Sequence, residues 1–176
     1  MNILAISGSL RALSSNTALL RVATDVAPQG VSVRLYDGLA ALPHFNPDDD
    51  LDVPPPPVLA LRAEIGSADG LLFCSPEYAH GVPGSLKNAL DWLVSSVEFP
   101  FKPVALFNAS PMATHAQASL AETLGTMNAR IVGEACVTIP VSRADVSASG
   151  EIANEAIRLA TRRALDALVR AIDAPS

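Results

Sequence analysis

Residues 70–93 read GLLFCSPEYAHGVPGSLKNALDWL, and three patterns follow one another along them. Gly70 to Cys74 is a short unbroken apolar run, which fits a strand buried on both faces. Ser75 to Gly84 is polar and punctuated by Pro76, Gly81 and Pro83, so it reads as a loop. Leu86, Leu90 and Leu93 then recur at helical spacing. A buried strand leading through a polar loop into a helix is half of a β-α-β unit.

The same succession recurs on either side. Ile3 to Ile6 is a short buried strand, followed by the polar stretch Ser7 to Ser15 and a helix faced by Leu19, Val22, Ala23 and Val26. Val31 to Tyr36 alternates as a second strand, and Val58 to Ser67 is a helix ahead of the third. Val104 to Phe107 is the fourth strand, Gln117 to Met127 a helix, and residues 130–139 a fifth strand. Ala153, Ile157, Ala160, Ala164, Leu168 and Ile172 line one face of a last helix. Residues 43–57, with His44, Asn46, three consecutive Asp and Pro54 to Pro57, form a long loop that is either functional or an interface element. This order predicts an α/β fold: a doubly wound five-stranded parallel sheet, order 2-1-3-4-5, with helices on both faces. With no internal repeat and no linker, residues 1–176 read as one domain. Such sheets bind ligands outside the carboxyl ends of their strands, near the switch point. That selects the loops Ser7–Asn16, Ser75–Gly84 and Asn108–His115.

Composition narrows the function. Apolar residues make up 49 % and charged residues 17 %, so a packed core is expected. A net charge of −6 argues against nucleic acid and against anionic membrane surfaces as partners. Cys74 and Cys136 are far apart and fit no C-x-x-C pattern, as expected of two buried thiols in a reducing compartment. The apolar start runs straight into Ser7-Gly8-Ser9 without a basic lead, so it reads as a strand and not a signal peptide. No stretch approaches a membrane span. A cytoplasmic location is therefore expected. His44, His80 and His115 lack metal-ligand spacing, His80 is expected to face solvent, and Asp48 to Asp50 read as a solvated loop, so no metal site is expected. No G-x-S-x-G elbow follows a strand, and no protein group stands out as catalytic.

The first loop reads GSLRALSSN over residues 8–16. Hydroxyls, a guanidinium and a helix start converge in it, as an anion-binding loop requires. A plain Ser/Asn helix cap beside a surface arginine accounts for the same residues. The loop has neither the Walker ending nor the G-x-G-x-x-G spacing. In the third-strand loop, backbone amides held by Gly and Pro suit a planar heterocycle with Tyr78 beside it, and an ordinary turn suits them as well.

Together the two segments resemble the NADPH-dependent FMN reductase family, whose first loop is similar to G-S-L-R-x-x-S-x-N. Its third-strand loop is similar to P-E-Y-N followed by P-G-x-L-K-N-x-x-D-W. The resemblance implies a flavodoxin-like fold and an FMN-dependent oxidoreductase. Hydride would come from NADPH or NADH and pass, in a ping-pong cycle, to a small acceptor: a flavin, quinone, azo or nitro compound, or metal ion. It implies that Ser9, Arg11, Ser14, Ser15 and Asn16 hold the FMN phosphate. Pro76, Glu77, Tyr78 and Ala79 would line the isoalloxazine edge, largely through backbone groups, with Ser110 in the fourth-strand loop. Lys87, Asn88 and Asp91 match the family helix as structural or interfacial residues. The chain departs from the family at Ala79, where Asn is usual, and at Ser110-Pro111-Met112-Ala113, where a Gly-rich turn is common. A homodimer or homotetramer is implied too. Two other readings stay open at this point: a flavodoxin-like one-electron carrier, and a non-catalytic flavin-binding module.

Overall fold

The computed structural model describes residues 1–174. Six strands form one parallel sheet: β1 (Asn2–Ser7), β2 (Ser32–Leu35), β3 (Gly70–Cys74), β4 (Pro103–Asn108), β5 (Arg130–Ile131) and β6 (Val137–Thr138). The order is β2-β1-β3-β4-β5, and β6 pairs with β4 beyond β5. Helices α1 (Ser15–Asp25), α2 (Pro56–Ser67), α3 (Gly84–Asp91), α4 (Thr114–Thr126) and α5 (Glu155–Asp173) cover it.

Because side chains alternate along a strand, each central strand feeds two cores. Ile3, Ala5, Leu72, Cys74, Ala105 and Phe107 pack with Leu19 and Leu20 of α1 and Leu165 and Leu168 of α5. Leu4, Ile6, Leu71, Phe73, Val104 and Leu106 pack on the other face with Leu61, Ile65, Leu86, Leu90, Leu120 and Leu124. The unbroken apolar runs follow from burial on both faces.

The fifth position of the sheet is one strand broken in two. Val104 pairs with Ile131 and Phe107 with Val137. Three residue steps on β4 thus face six on its neighbour. The surplus is looped out as a 3-10 turn at Gly133–Ala135, whose Ala135 is fully buried. The break falls inside residues 130–139, where a continuous strand was expected. Helix α2 begins at Pro56, inside the proline run read as loop; its fixed φ suits the first helical turn, where a missing N–H costs nothing.

The long loop 43–57 is laced to α3 instead of hanging free. Asn88 Oδ1 accepts from the Phe45 N–H at 2.7 Å, and Asn88 Nδ2 donates to the Pro43 carbonyl at 2.8 Å. Trp92 Nε1 donates to the same carbonyl at 2.9 Å, and Phe45 meets the Trp92 ring edge-on at 5.0 Å. Farther along, Arg62 donates to Asp50 at 2.8 Å, to the Trp92 carbonyl at 2.7 Å and to Ser95 at 2.9 Å. Asp48 and Asp49 are exposed, but Asp50 is drawn inward. The Ser95 hydroxyl and Arg62 hold its carboxyl below the usual carboxylate range. By contrast the Lys87–Asp91 pair on α3 lies on the surface, where such pairs contribute little.

Asn88→Ala removes one acceptor and one donor from this anchor and leaves the Phe45 N–H without its partner. The expected loss is about 1–3 kcal/mol of stability, read from urea unfolding, together with faster proteolysis within residues 43–57. An unchanged midpoint and cleavage rate would show that the loop is held by its apolar contacts alone.

Candidate functional site

The carboxyl ends of β1, β3 and β4 open into a cleft of about 320 Å³, lined by Asn16, Ser75, Pro76, Glu77, Ser110, Met112 and Ala113. Each of its three loops is held differently.

The loop after β1 is held by its own hydroxyls. Ser7 Oγ bonds Thr17 Oγ1 at 2.8 Å and accepts from the Ser9 N–H at 3.2 Å, and Ser9 Oγ accepts from the Arg11 N–H at 3.3 Å. Ser14 is the N-cap of α1: its Oγ accepts from the Thr17 N–H at 3.4 Å, which leaves the hydroxyl proton free to donate. Ser15 and Asn16 are the first residues of α1. Among the described residues their backbone N–H groups have no acceptor, as helix geometry dictates. Arg11 is exposed, and its guanidinium makes no ion pair or hydrogen bond to the described residues.

The loop after β3 ends in a two-residue turn. Tyr78 and Gly81 exchange backbone bonds at 2.9 and 3.0 Å, with Ala79 at φ 49° and His80 at φ 62°. Both central residues are left-handed, a conformation that glycine and asparagine adopt readily and alanine does not. The Asn usual in the family at position 79 therefore has a backbone reason, beyond any side-chain contact. Glu77 reaches away from the turn: its Oε2 accepts from the Ala116 N–H of α4 at 2.9 Å. Helix α4 has no side-chain cap of its own, so Glu77 supplies one from another loop. Tyr78 is 57 % exposed at the rim. His80 is exposed, as expected, but it stacks on His115 of α4 with centroids 4.2 Å apart.

The loop after β4 is organised by Asn108, which is buried. Its Oδ1 accepts from the Ser110 N–H at 3.0 Å and its Nδ2 donates to the Ala113 carbonyl at 3.1 Å. Ser110 Oγ then accepts from the Met112 N–H at 3.3 Å. A side chain thus does what a Gly-rich turn would otherwise do with backbone alone.

Of the residues singled out from the sequence, Asn16, Pro76, Glu77 and Ser110 line the cleft itself. Ser9, Arg11, Ser14 and Ser15 flank it on the first loop, and Tyr78 and Ala79 form the turn at its rim. Sequence reasoning missed Asn108 and Thr17 as organisers; Ser75, Met112 and Ala113 lay within the selected loops but were not named among the site residues. An asparagine closing an apolar strand was the signal for Asn108, since its side chain readily turns a following loop.

Comparison with known proteins bears on the family and on the fold. The family model of NADPH-dependent FMN reductases matches residues 1–143. An NAD(P)H-dependent FMN reductase of Pseudomonas aeruginosa is 35 % identical over 173 residues, covering 96 % of this chain and 93 % of that protein. A quinone reductase of Escherichia coli is 34 % identical over 113 residues, covering 62 % of this chain and 60 % of its own length. Among solved structures, a flavoenzyme NAD(P)H:(acceptor) oxidoreductase of Paracoccus denitrificans superposes with a TM-score of 0.85 at 29 % identity, covering 98 % of this chain and 97 % of that one.

Position 79 is exposed, so a larger side chain meets no packing there. Ala79→Asn should raise stability by about 0.5–1 kcal/mol, since the left-handed penalty of an ordinary residue is about 1–2 kcal/mol. The measurement is the urea midpoint at constant slope. A lower midpoint would mean that the turn is not held left-handed in solution.

Proposed function

The chain belongs to the NADPH-dependent FMN reductase family, and from that membership we propose that FMN lies in the cleft between the loops after β1, β3 and β4, with its phosphate on the first loop. The observation that carries this reading is the cradle of uncommitted donors at the start of α1. The Ser15 and Asn16 N–H groups, the Ser14 and Ser15 hydroxyls and the Arg11 guanidinium lie on one loop. A helix N-terminus favours a dianion there, and Arg11 adds charge-assisted bonds.

FMN supplies the two-electron chemistry when bound, taking a hydride from NADPH or NADH and passing reducing equivalents to a small acceptor. The chain's own residues hold and orient. Ser7, Ser9 and Thr17 keep the first loop closed, so its donors are in place before a ligand arrives. Pro76 and the backbone from Glu77 to Ala79 form the wall that a flat ring system would meet, and the Glu77–Ala116 bond fixes that wall to α4. The backbone N–H groups of this wall are dipoles suited to negative charge developing nearby. Tyr78 and Met112, both exposed apolar groups, stand where a seated ligand sheds water.

On this reading donor and acceptor take the same place against the cofactor in turn. The acceptor belongs to the flavin, quinone, azo or nitro compound, or metal-ion class. Assembly into a homodimer or homotetramer is part of the same reading, supported by the exposed Leu51, Val53 and Val97 along one groove. A cytoplasmic setting is supported by two free thiols. No helix of the described residues is long and apolar enough to cross a membrane.

Two measurements test the proposal. Arg11→Ala should raise the FMN dissociation constant about ten- to hundredfold, the equivalent of about one hydrogen bond to a charged group, while riboflavin binding changes little. Equal losses for both ligands in a fluorescence titration would remove Arg11 from the phosphate site. Initial rates varied against NADPH and a quinone should give parallel double-reciprocal lines. Intersecting lines would mean that both substrates are bound at once.

A further inference from the structure

Cys74 is the last residue of β3 and is fully buried beneath the cleft. Its thiol donates to Asn16 Oδ1 at 3.2 Å. Its side chain belongs to the same buried cluster as Ala109, in the loop after β4. One buried thiol therefore ties the end of β3 to the start of α1, across the floor of the cleft. Burial pushes the thiol far above its ordinary pKa, so the proton stays on sulfur across the working range.

A carboxamide has two ends of opposite character. Here the S–H donates to the oxygen of Asn16, which leaves the nitrogen facing elsewhere. Asn16 lines the cleft, and its Nδ2 makes no hydrogen bond to the described residues. With Oδ1 engaged below, the free NH₂ is the end left to the cleft. Without the thiol, the carboxamide is free to turn, and an oxygen facing the cleft would repel an anion.

We propose that Cys74 is a positioning residue: its S–H···Oδ1 bond sets the Asn16 carboxamide so that Nδ2 donates to the anionic phosphate end of the cofactor. This inference rests on the reading that the first loop holds that phosphate. Cys74 touches no ligand and takes no part in redox chemistry; it acts through Asn16 alone.

The test is a double-mutant cycle on the apoprotein, read by fluorescence titration with FMN and with riboflavin. Cys74→Ala should weaken FMN about three- to tenfold, the equivalent of one neutral hydrogen bond, and leave riboflavin within twofold. Cys74→Ser keeps a donor and should recover most of the loss. In an Asn16→Ala background, Cys74→Ala should add nothing to the FMN-to-riboflavin ratio, because the group it positions is gone. Should Cys74→Ala not fold, Cys74→Ser in the wild-type and Asn16→Ala backgrounds provides the same comparison: near-wild-type FMN selectivity in the first supports the proposal, and a loss that Cys74→Ser adds to that of Asn16→Ala alone overturns it. Additive losses, or equal losses for FMN and riboflavin, would reduce Cys74 to packing and overturn the proposal. Wild-type protein that binds FMN no better than riboflavin would instead overturn the phosphate reading of the loop, and is scored before any variant.

Discussion

The Gly8 N–H, one residue past the end of β1, donates at 2.9 Å to the carbonyl of Cys74, the last paired residue of β3. At that point the loop after β1 crosses against the loop after β3 with no room to spare. A Cβ on Gly8 would lie 2.5 Å from Ser75 Oγ and 3.0 Å from Ser75 Cβ. Glycine is required here by close approach, not by an unusual φ. The two loops therefore leave the sheet in contact, and the cleft between them has a fixed floor. Any residue larger than glycine would separate the donors at the start of α1 from the wall formed by Pro76 and Glu77.

From that crossing the three loops are stiffened by different means, each matched to its residues. The first closes on itself through short hydroxyl bonds, which suits a segment rich in serine. The third cannot do so, because two prolines lack N–H groups, and it is fixed instead by a left-handed turn and by Glu77 on α4. The fourth depends on one buried asparagine. Local backbone strain at Ala79 and His80 is tolerated because the reciprocal Tyr78–Gly81 bonds and the Glu77 anchor over-determine the turn. Loops that carry binding groups are ordinarily the mobile part of such a fold, and here their tethers run back to the ends of β1 and β4 and to α4.

How much of this was legible in the sequence follows from the range of the interactions. Buried strands leave contiguous apolar runs, and helices leave a periodicity, so the sheet order and the three cleft loops could be read directly. Helix starts were read late: α4 begins at Thr114, three residues before Gln117, because polar first turns carry no apolar stripe. The broken fifth strand was hidden because Gly133 and Glu134 interrupt an otherwise strand-like run without marking a turn type. The motif residues Ser9, Arg11, Asn16, Pro76 and Glu77 could be named and given ligand contacts by resemblance, but the internal bonds that hold them could not be read. That Glu77 caps a helix thirty-nine positions away, or that Asn88 holds Pro43 and Phe45, depends on tertiary contacts that no local pattern encodes.

Charge sets a last constraint on what the cleft can do. The protein carries a net −6, so an anionic cofactor or nicotinamide approaches against the average field. At physiological ionic strength that field is screened beyond about 8 Å, so it slows encounter without opposing contact. The attraction must come from groups that act at hydrogen-bond range, and Arg11 and the first N–H groups of α1 are such groups. Short-range donors on a closed loop favour a ligand that, once seated, leaves slowly. A long-range basic patch would instead hasten arrival for every anion alike. Selection by contact geometry is what a reductase needs if it is to take nicotinamide donors and leave the many other cellular anions in solution, and under the proposed reading Arg11, which pairs with none of the described residues, serves that selection.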